Sequence, residues 1–459
     1  MNLMLFRLMR KYIPLIVFSL LIFSCPNDEQ DNGEPDIEEI SVLIPSDFAG
    51  MCHAGYSGNL DREFEMLGEM GVVWVHWDFS WSSIQPDNEN QWNYDNFDAR
   101  VQRSNAEGKK IMGMLLYDVN WVHDKFEFPR ERRIREEELP YFVNYAVETV
   151  KRYNGKPGSQ GYVDAWLIWN EPDLYPRFWT GTKEEFYALT KAAAEAIREL
   201  DENEGTTTAL IGGVFTAIAS NEWITGLFES GAMDQVDGIG YHPYSPGPIG
   251  SLSFFNHFKQ MVEPYGFADK IWVNEMGYPT YSEKGQIPAG RYGTDQYEGD
   301  MPEVVTKTFA LLAAAGAKNL TWYHLFDSRA ERRENDSEDW FGLVWRKSAD
   351  EWLIKGGYWG YALCANNIPG KTYKKMNFPG NLPEDLSSYY FEGDGRRTLI
   401  VWNDSPLAAI DVTITLNGRN HKLWNVETGK SSNINAVSTH TLYPTYTYQK
   451  TLIFLTWDE

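Results

Sequence analysis

Two glutamates in this chain stand where acid–base or nucleophilic chemistry could be done. Glu171 lies in Trp169-Asn170-Glu171-Pro172 and Glu275 in Asn274-Glu275-Met276-Gly277. Each follows an asparagine, and each comes at the end of a short apolar run. Two carboxyl groups flanking one bond are what glycoside hydrolysis requires. One protonates the leaving oxygen, and the other attacks the anomeric carbon or activates water. The roles need opposite environments: the acid needs an apolar wall such as Trp169 or a neighbouring carboxylate, and the ionised partner needs hydrogen-bond donors. A lone glutamate after a strand is more often a helix cap, but two in matching contexts favour a site.

The elements that must position them recur regularly. Strands are expected at residues 47–52, 72–77, 110–116, 163–169, 209–214, 236–241, 270–274 and 319–326. The stretches 61–71, 141–153, 183–201 and 301–316 between them repeat apolar residues at three- and four-residue intervals. Eight such alternations point to an α/β fold, a closed (β/α)8 TIM barrel. No G-x-G-x-x-G follows the first strand, so a dinucleotide cofactor has no support. Residues 341–365 read as a final helix. Period-two alternation near 387–391, 398–402, 410–416, 421–425 and 451–456, with turns at Asn417-Gly418 and Thr428-Gly429, predicts a small C-terminal antiparallel β-sandwich. The expected division is a signal peptide at 1–24, an acidic tether at 25–43, the barrel at 44–378 and the sandwich at 384–459. Catalytic groups of such barrels lie at the C-terminal strand ends. Glu171 ends the fourth strand and Glu275 the seventh, so both can reach one central pocket.

With these motifs the chain resembles glycoside hydrolase clan A, the retaining (β/α)8 glycosidases. The likeness covers about residues 47–365. Residues 74–86, reading WVHWDFSWSSIQP, look like the second-strand segment of family 5, 39 and 42 members, and Phe341-Gly342-Leu343-Val344 looks like the stretch after their eighth strand. The resemblance implies that Glu171 is the acid/base, Glu275 the nucleophile and Asn170 the partner of the sugar 2-hydroxyl, with the carboxyls about 5–5.5 Å apart. Tyr244, in His242-Pro243-Tyr244 after the sixth strand, is placed to donate to Glu275, and His242 joins it as a substrate-binding candidate. His76 stands where these enzymes often carry an arginine near the nucleophile, a weaker donor for the same task. Tyr323 aligns with their sugar-stacking tryptophan, with Trp322 one place early. Trp81 and Trp121 are further stacking candidates. The implied activity is hydrolysis of O-glycosidic bonds, expected to be β-linked, in a poly- or oligosaccharide, with no cofactor and no metal. The rival reading is a carbohydrate-binding surface lipoprotein that keeps the barrel without catalysis.

Composition narrows the field. A content of 43% hydrophobic and 23% charged residues excludes a disordered, collagen-like or multi-span membrane chain. Aromatics reach 15%, and flat apolar faces suit sugar rings. The net charge of −24 argues against nucleic acid as a partner. None of the eight histidines has the His-x-His spacing of a metal-dependent barrel hydrolase. Arg7, Arg10 and Lys11 precede an apolar run too short to span a bilayer, ending at Ser24-Cys25. That pattern resembles a bacterial lipobox, so Cys25 is expected to carry lipid and anchor the protein to the cell envelope, most naturally the outer membrane. Cys52 and Cys364 lie in regions that barrel closure brings together, which leaves open a disulfide or two separate buried thiols.

Overall fold

The computed structural model describes residues 41–53, 59–281, 296–333, 336–375, 385–405, 408–444 and 451–459. The expected signal peptide, Cys25 and the tether up to residue 40 lie outside them. Eight parallel strands close into a barrel: β1 (Ala49–Cys52), β2 (Trp74–Ser80), β3 (Lys110–Leu116), β4 (Ala165–Ile168), β5 (Ala209–Thr216), β6 (Gly238–His242), β7 (Ile271–Met276) and β8 (Leu320–Trp322). All eight fall on the expected segments. The interior is filled by Trp74, Met112, Met114, Leu116, Ala165, Leu167, Ile211 and Val214 in one cluster. On β3 these alternate with Ile111 and Leu115, which join the core under the helices. That two-residue alternation makes both faces of a parallel strand apolar.

One irregularity decides where a glutamate points. Leu320 pairs with Val273 and Trp322 with Met276, so two steps on β8 oppose three on β7. This is a β-bulge. The extra residue lets Asn274 and Glu275, neighbours in a strand, both turn inward, whereas regular alternation would send one of them out. Gly277 follows because a side chain there would collide with the Tyr323 carbonyl of the next strand.

Three expectations are corrected. Residues 341–365 are not one helix: Val344–Arg346 and Trp352–Ile354 form an antiparallel hairpin, and the helix is Gly357–Asn367. Bulky Trp345 and Trp352 suit a strand, and residues 347–351 between them are polar or small. The last three residues read as tether, Ser41–Leu43, form a strand against Thr372–Lys374, itself paired with Leu386–Gly393. The seven-stranded sheet of the sandwich therefore begins within the segment assigned to the barrel. The second sheet is Ile410–Thr415 with Val437–Leu442. Cys52 and Cys364 are separate buried thiols. Cys364 donates to the Thr306 carbonyl at 3.8 Å, and Cys52 to the Asn274 carbonyl at 3.4 Å. Among the described residues no helix is long and apolar enough to cross a membrane.

Candidate active site

The chain leaving β4 is bent by left-handed backbone at Trp169 (φ 63°) and Glu171 (φ 44°). Left-handed conformations of non-glycine residues cost on the order of 1–3 kcal/mol each and cluster at functional sites. Here the bend is held by a bond from the Glu171 amide to the Val214 carbonyl at 2.9 Å. The buried Trp169 ring, pinned through Nε1 to the Phe178 carbonyl, fills the space behind. Glu171 is 7% exposed. Asn170 donates through Nδ2 to the Tyr117 hydroxyl at 3.2 Å, leaving its buried Oδ1 without a partner.

Glu275, turned inward by the bulge, accepts a 2.6 Å bond from the Tyr244 hydroxyl. His242, at the end of β6, lies between the two glutamates. Its Nδ1 is 2.7 Å from Glu171 Oε1 and 3.9 Å from Glu275 Oε1. Asn274 Nδ2 lies 2.9 Å from His242 Nε2, so the ring nitrogen that faces Glu171 is Nδ1. A carboxylate oxygen of each glutamate and the His242 nitrogen all lie within 4.8 Å of one another. The nearest carboxyl oxygens of the two glutamates are therefore no more than 4.8 Å apart. Burial and the Glu171 carboxylate push Glu275 up to about 7, against the opposing pull of His242 and the Tyr244 bond. Burial pulls His242 down, but Glu275 and Glu171 outweigh it and hold it above the usual histidine range.

Both glutamates open on a cavity of about 510 Å³. His53, Asp78, Tyr323, Glu338 and Phe341 line it on the side of β1, β2 and β8. Leu174, Phe178, Ile218, Pro246 and Phe254 line it on the side of β4 to β6. The Tyr323 hydroxyl donates to Glu338 Oε2 at 3.0 Å, and Arg177 pairs with the other Glu338 oxygen at 3.3 Å.

Of the residues singled out by sequence, Asn170, Glu171, Tyr244, Glu275 and Tyr323 line this cavity, and His242 supports it from behind. Three others do not reach it. Trp81 is fully buried, donates to Gln85 Oε1 and stacks on Tyr145. Trp121 donates to the Gln85 carbonyl and packs edge-on against Trp81. Trp81 belongs to the core and the partly buried Trp121 packs against it. His76 sits one layer below the cavity, 3.5 Å from Cys52 Sγ. Burial, then His53 and His242, keep its pKa well below the usual histidine range, so it is no cationic substitute for an arginine. Sequence reasoning passed over Asp78, His53, Tyr117 and Glu338. Asp78 was accessible to it, since it shares the face of His76 two residues on and lies at a strand end. Glu338 comes from the long loop after β8, where no periodicity marks it.

No family model matches the chain. A curated β-xylosidase from Caldicellulosiruptor saccharolyticus is 39% identical over 102 residues, 21% of this chain and 20% of that protein. The chain thus spans about a fifth of the length of that relative. Among solved structures, a family 39 glycoside hydrolase from Bacteroides cellulosilyticus superposes with a TM-score of 0.68 at 18% identity, over 90% of this chain and 81% of the other. A family 30 endoxylanase from Clostridium papyrosolvens gives 0.58 at 13% identity, over 91% and 98%. Family 39 is among those the motifs resemble; family 30 is not. The barrel with its C-terminal sandwich is the fold of these glycoside hydrolases, and no single family is resolved.

Proposed function

We propose that this protein is a retaining glycoside hydrolase that cleaves β-linked O-glycosidic bonds of an oligo- or polysaccharide. The carrying observation is the pair Glu171 and Glu275, with oxygens within 4.8 Å across one cavity and His242 between them. A proton shared by Glu171 Oε1 and His242 Nδ1 passes to the glycosidic oxygen as its bond to the anomeric carbon breaks. Glu275 forms the new bond to that carbon. Water then attacks the glycosyl ester, Glu171 takes its proton, and Glu275 leaves as carboxylate. One water is consumed, and two displacements retain the configuration. The unpartnered Asn170 Oδ1 would accept from the sugar 2-hydroxyl, and Tyr323 would stack on the ring. The partial likeness to a β-xylosidase favours xylosides among the first substrates to try. We further infer that Cys25 is lipidated and tethers the enzyme to the cell envelope, so Cys25→Ala should move it from the membrane to the soluble fraction.

Incubation with a panel of β-glycans, followed by reducing-sugar assay and proton NMR of the first-formed anomer, tests the activity. Release with retention supports it; binding without release makes the protein a carbohydrate binder, and inversion removes the double displacement. The roles separate by rescue. Glu171→Ala should still be glycosylated by an activated aryl glycoside and then stall, and azide should restore turnover to a glycosyl azide of retained configuration. With Glu275→Ala any azide product should be inverted. The opposite pattern means that the roles are reversed.

A further inference from the structure

On β2 the residues Trp74, His76 and Asp78 share the inward face. Trp74 packs in the barrel interior and His76 contacts Cys52, so Asp78 is the layer that meets the cavity. Four carboxylates line that cavity, and three have donors. Glu171 faces the His242 N–H, Glu275 accepts from Tyr244, and Glu338 accepts from Tyr323 and pairs with Arg177. Asp78 accepts from no group among the described residues. Ser80, Ser83 and Asn93, which border a smaller neighbouring cavity with it, make no bond to it either. A partly buried carboxylate without protein donors is left to water, and the hydroxyls of a bound ligand can take that water's place. Burial accordingly disfavours its charged form, with His53 and His242 only partly offsetting this.

We propose that Asp78 is the specificity residue of this site: its two oxygens accept hydrogen bonds from a pair of adjacent hydroxyls on the sugar whose bond is cut. This rests on the hydrolase reading and adds the class of substrate, a neutral glycoside with a vicinal diol. The wall formed by the ends of β1, β2 and β8 carries His53, Asp78, Tyr323 and Glu338, so a hydroxyl-bearing edge of the sugar belongs against Asp78. A uronic acid is disfavoured: it would add a carboxylate to the four that line the cavity among the described residues, where Arg177 is engaged with Glu338.

The test compares kcat/KM of the wild type, Asp78→Asn and Asp78→Ala on the best-cleaved member of a panel of para-nitrophenyl β-glycosides of mono-, di- and trisaccharides. Analogues of that substrate lacking one or the other of two adjacent ring hydroxyls complete the set. The wild type should lose roughly ten- to a hundredfold on the deoxy analogues that remove a bond to a charged acceptor. Asp78→Ala should lose as much on the parent glycoside yet discriminate by less than about threefold, with Asp78→Asn in between. The isosteric Asn variant keeps the comparison valid if the Ala variant fails to fold. Equal losses on parent and analogues, unchanged kinetics, or cleavage of para-nitrophenyl β-glucuronide at the rate of the neutral glycosides would overturn the assignment. If the wild type cleaves no member of the panel, the hydrolase reading itself fails and the assignment with it.

Discussion

In the proposed mechanism Glu275 attacks as a carboxylate, yet its surroundings raise it to about 7. The acid limb of kcat/KM is therefore expected near neutrality, with activity falling as pH drops through that value. Tyr244 donates to the carboxylate and so favours its charged form. In Tyr244→Phe the limb should move to higher pH, and kcat/KM on the alkaline side should drop by roughly tenfold or more, the scale of a lost bond to a charged group. A pH–rate profile checks both, and a limb moving to lower pH would contradict the geometry. Stability should respond in the opposite sense to activity. A carboxyl raised from 4.5 in the unfolded chain to about 7 in the fold lowers stability as pH climbs between those values. Glu275→Gln removes that penalty, so its Tm should exceed that of the wild type at pH 8, and the gap should narrow as pH falls toward 4.5.

At the scale of elements, the loop after β8 carries Glu338 and Phe341 to the cavity, and a buried ion pair holds it down. Lys355 Nζ donates to Asp327 Oδ1 and to the Trp340 carbonyl, both at 2.9 Å, while Arg332 reaches Asp327 Oδ2 at 3.2 Å. The Arg332 guanidinium is itself sandwiched between Trp340 and Trp345, 4.1 and 3.7 Å from their centroids. Removing one partner of a buried pair costs about 3–5 kcal/mol, because the charge left behind has lost its compensation. Lys355→Met should therefore lower stability by about 3 kcal/mol in denaturant titrations and raise KM more than it lowers kcat. Adding Asp327→Asn should recover part of both. An unchanged KM would mean that the loop holds Glu338 without this pair.

At the scale of the molecule, the sandwich is part of the barrel's support. Its large sheet has two working faces. Leu399, Val401, Ile453 and Leu455 pack within the sandwich, while the alternating Ile400, Trp402, Leu452 and Phe454 join the core of the barrel. Thr451 bonds Glu303 through its amide at 3.0 Å, and Lys307 donates to the Thr451 hydroxyl at 3.3 Å, both from the helix Met301–Ala315. Burying four such side chains contributes on the order of 8 kcal/mol at about 2 kcal/mol each. A chain ending after residue 384 should therefore aggregate, and the intact protein should unfold in a single transition. Two separated transitions would show that the units are independent.

The amino-acid sequence by itself determined the strand–helix alternation, the eightfold barrel, the antiparallel tail and the two glutamates. These follow from local periodicity and from the rule that barrel chemistry collects at the C-terminal strand ends. The donor role of Tyr244 was legible from its place after the sixth strand, beside the seventh. Only the tertiary structure decided the rest. The bulge that turns Glu275 inward is a mismatch between two strands, invisible in either one. Trp81 went to the core by stacking on Tyr145 and Trp121 by bonding the Gln85 carbonyl, partners distant in sequence from each. His242 lies between two carboxylates because closure of the sheet brings β4, β6 and β7 around one axis. The lack of a donor to Asp78 among the described residues is a property of the groups surrounding it, which no reading of its own segment could supply.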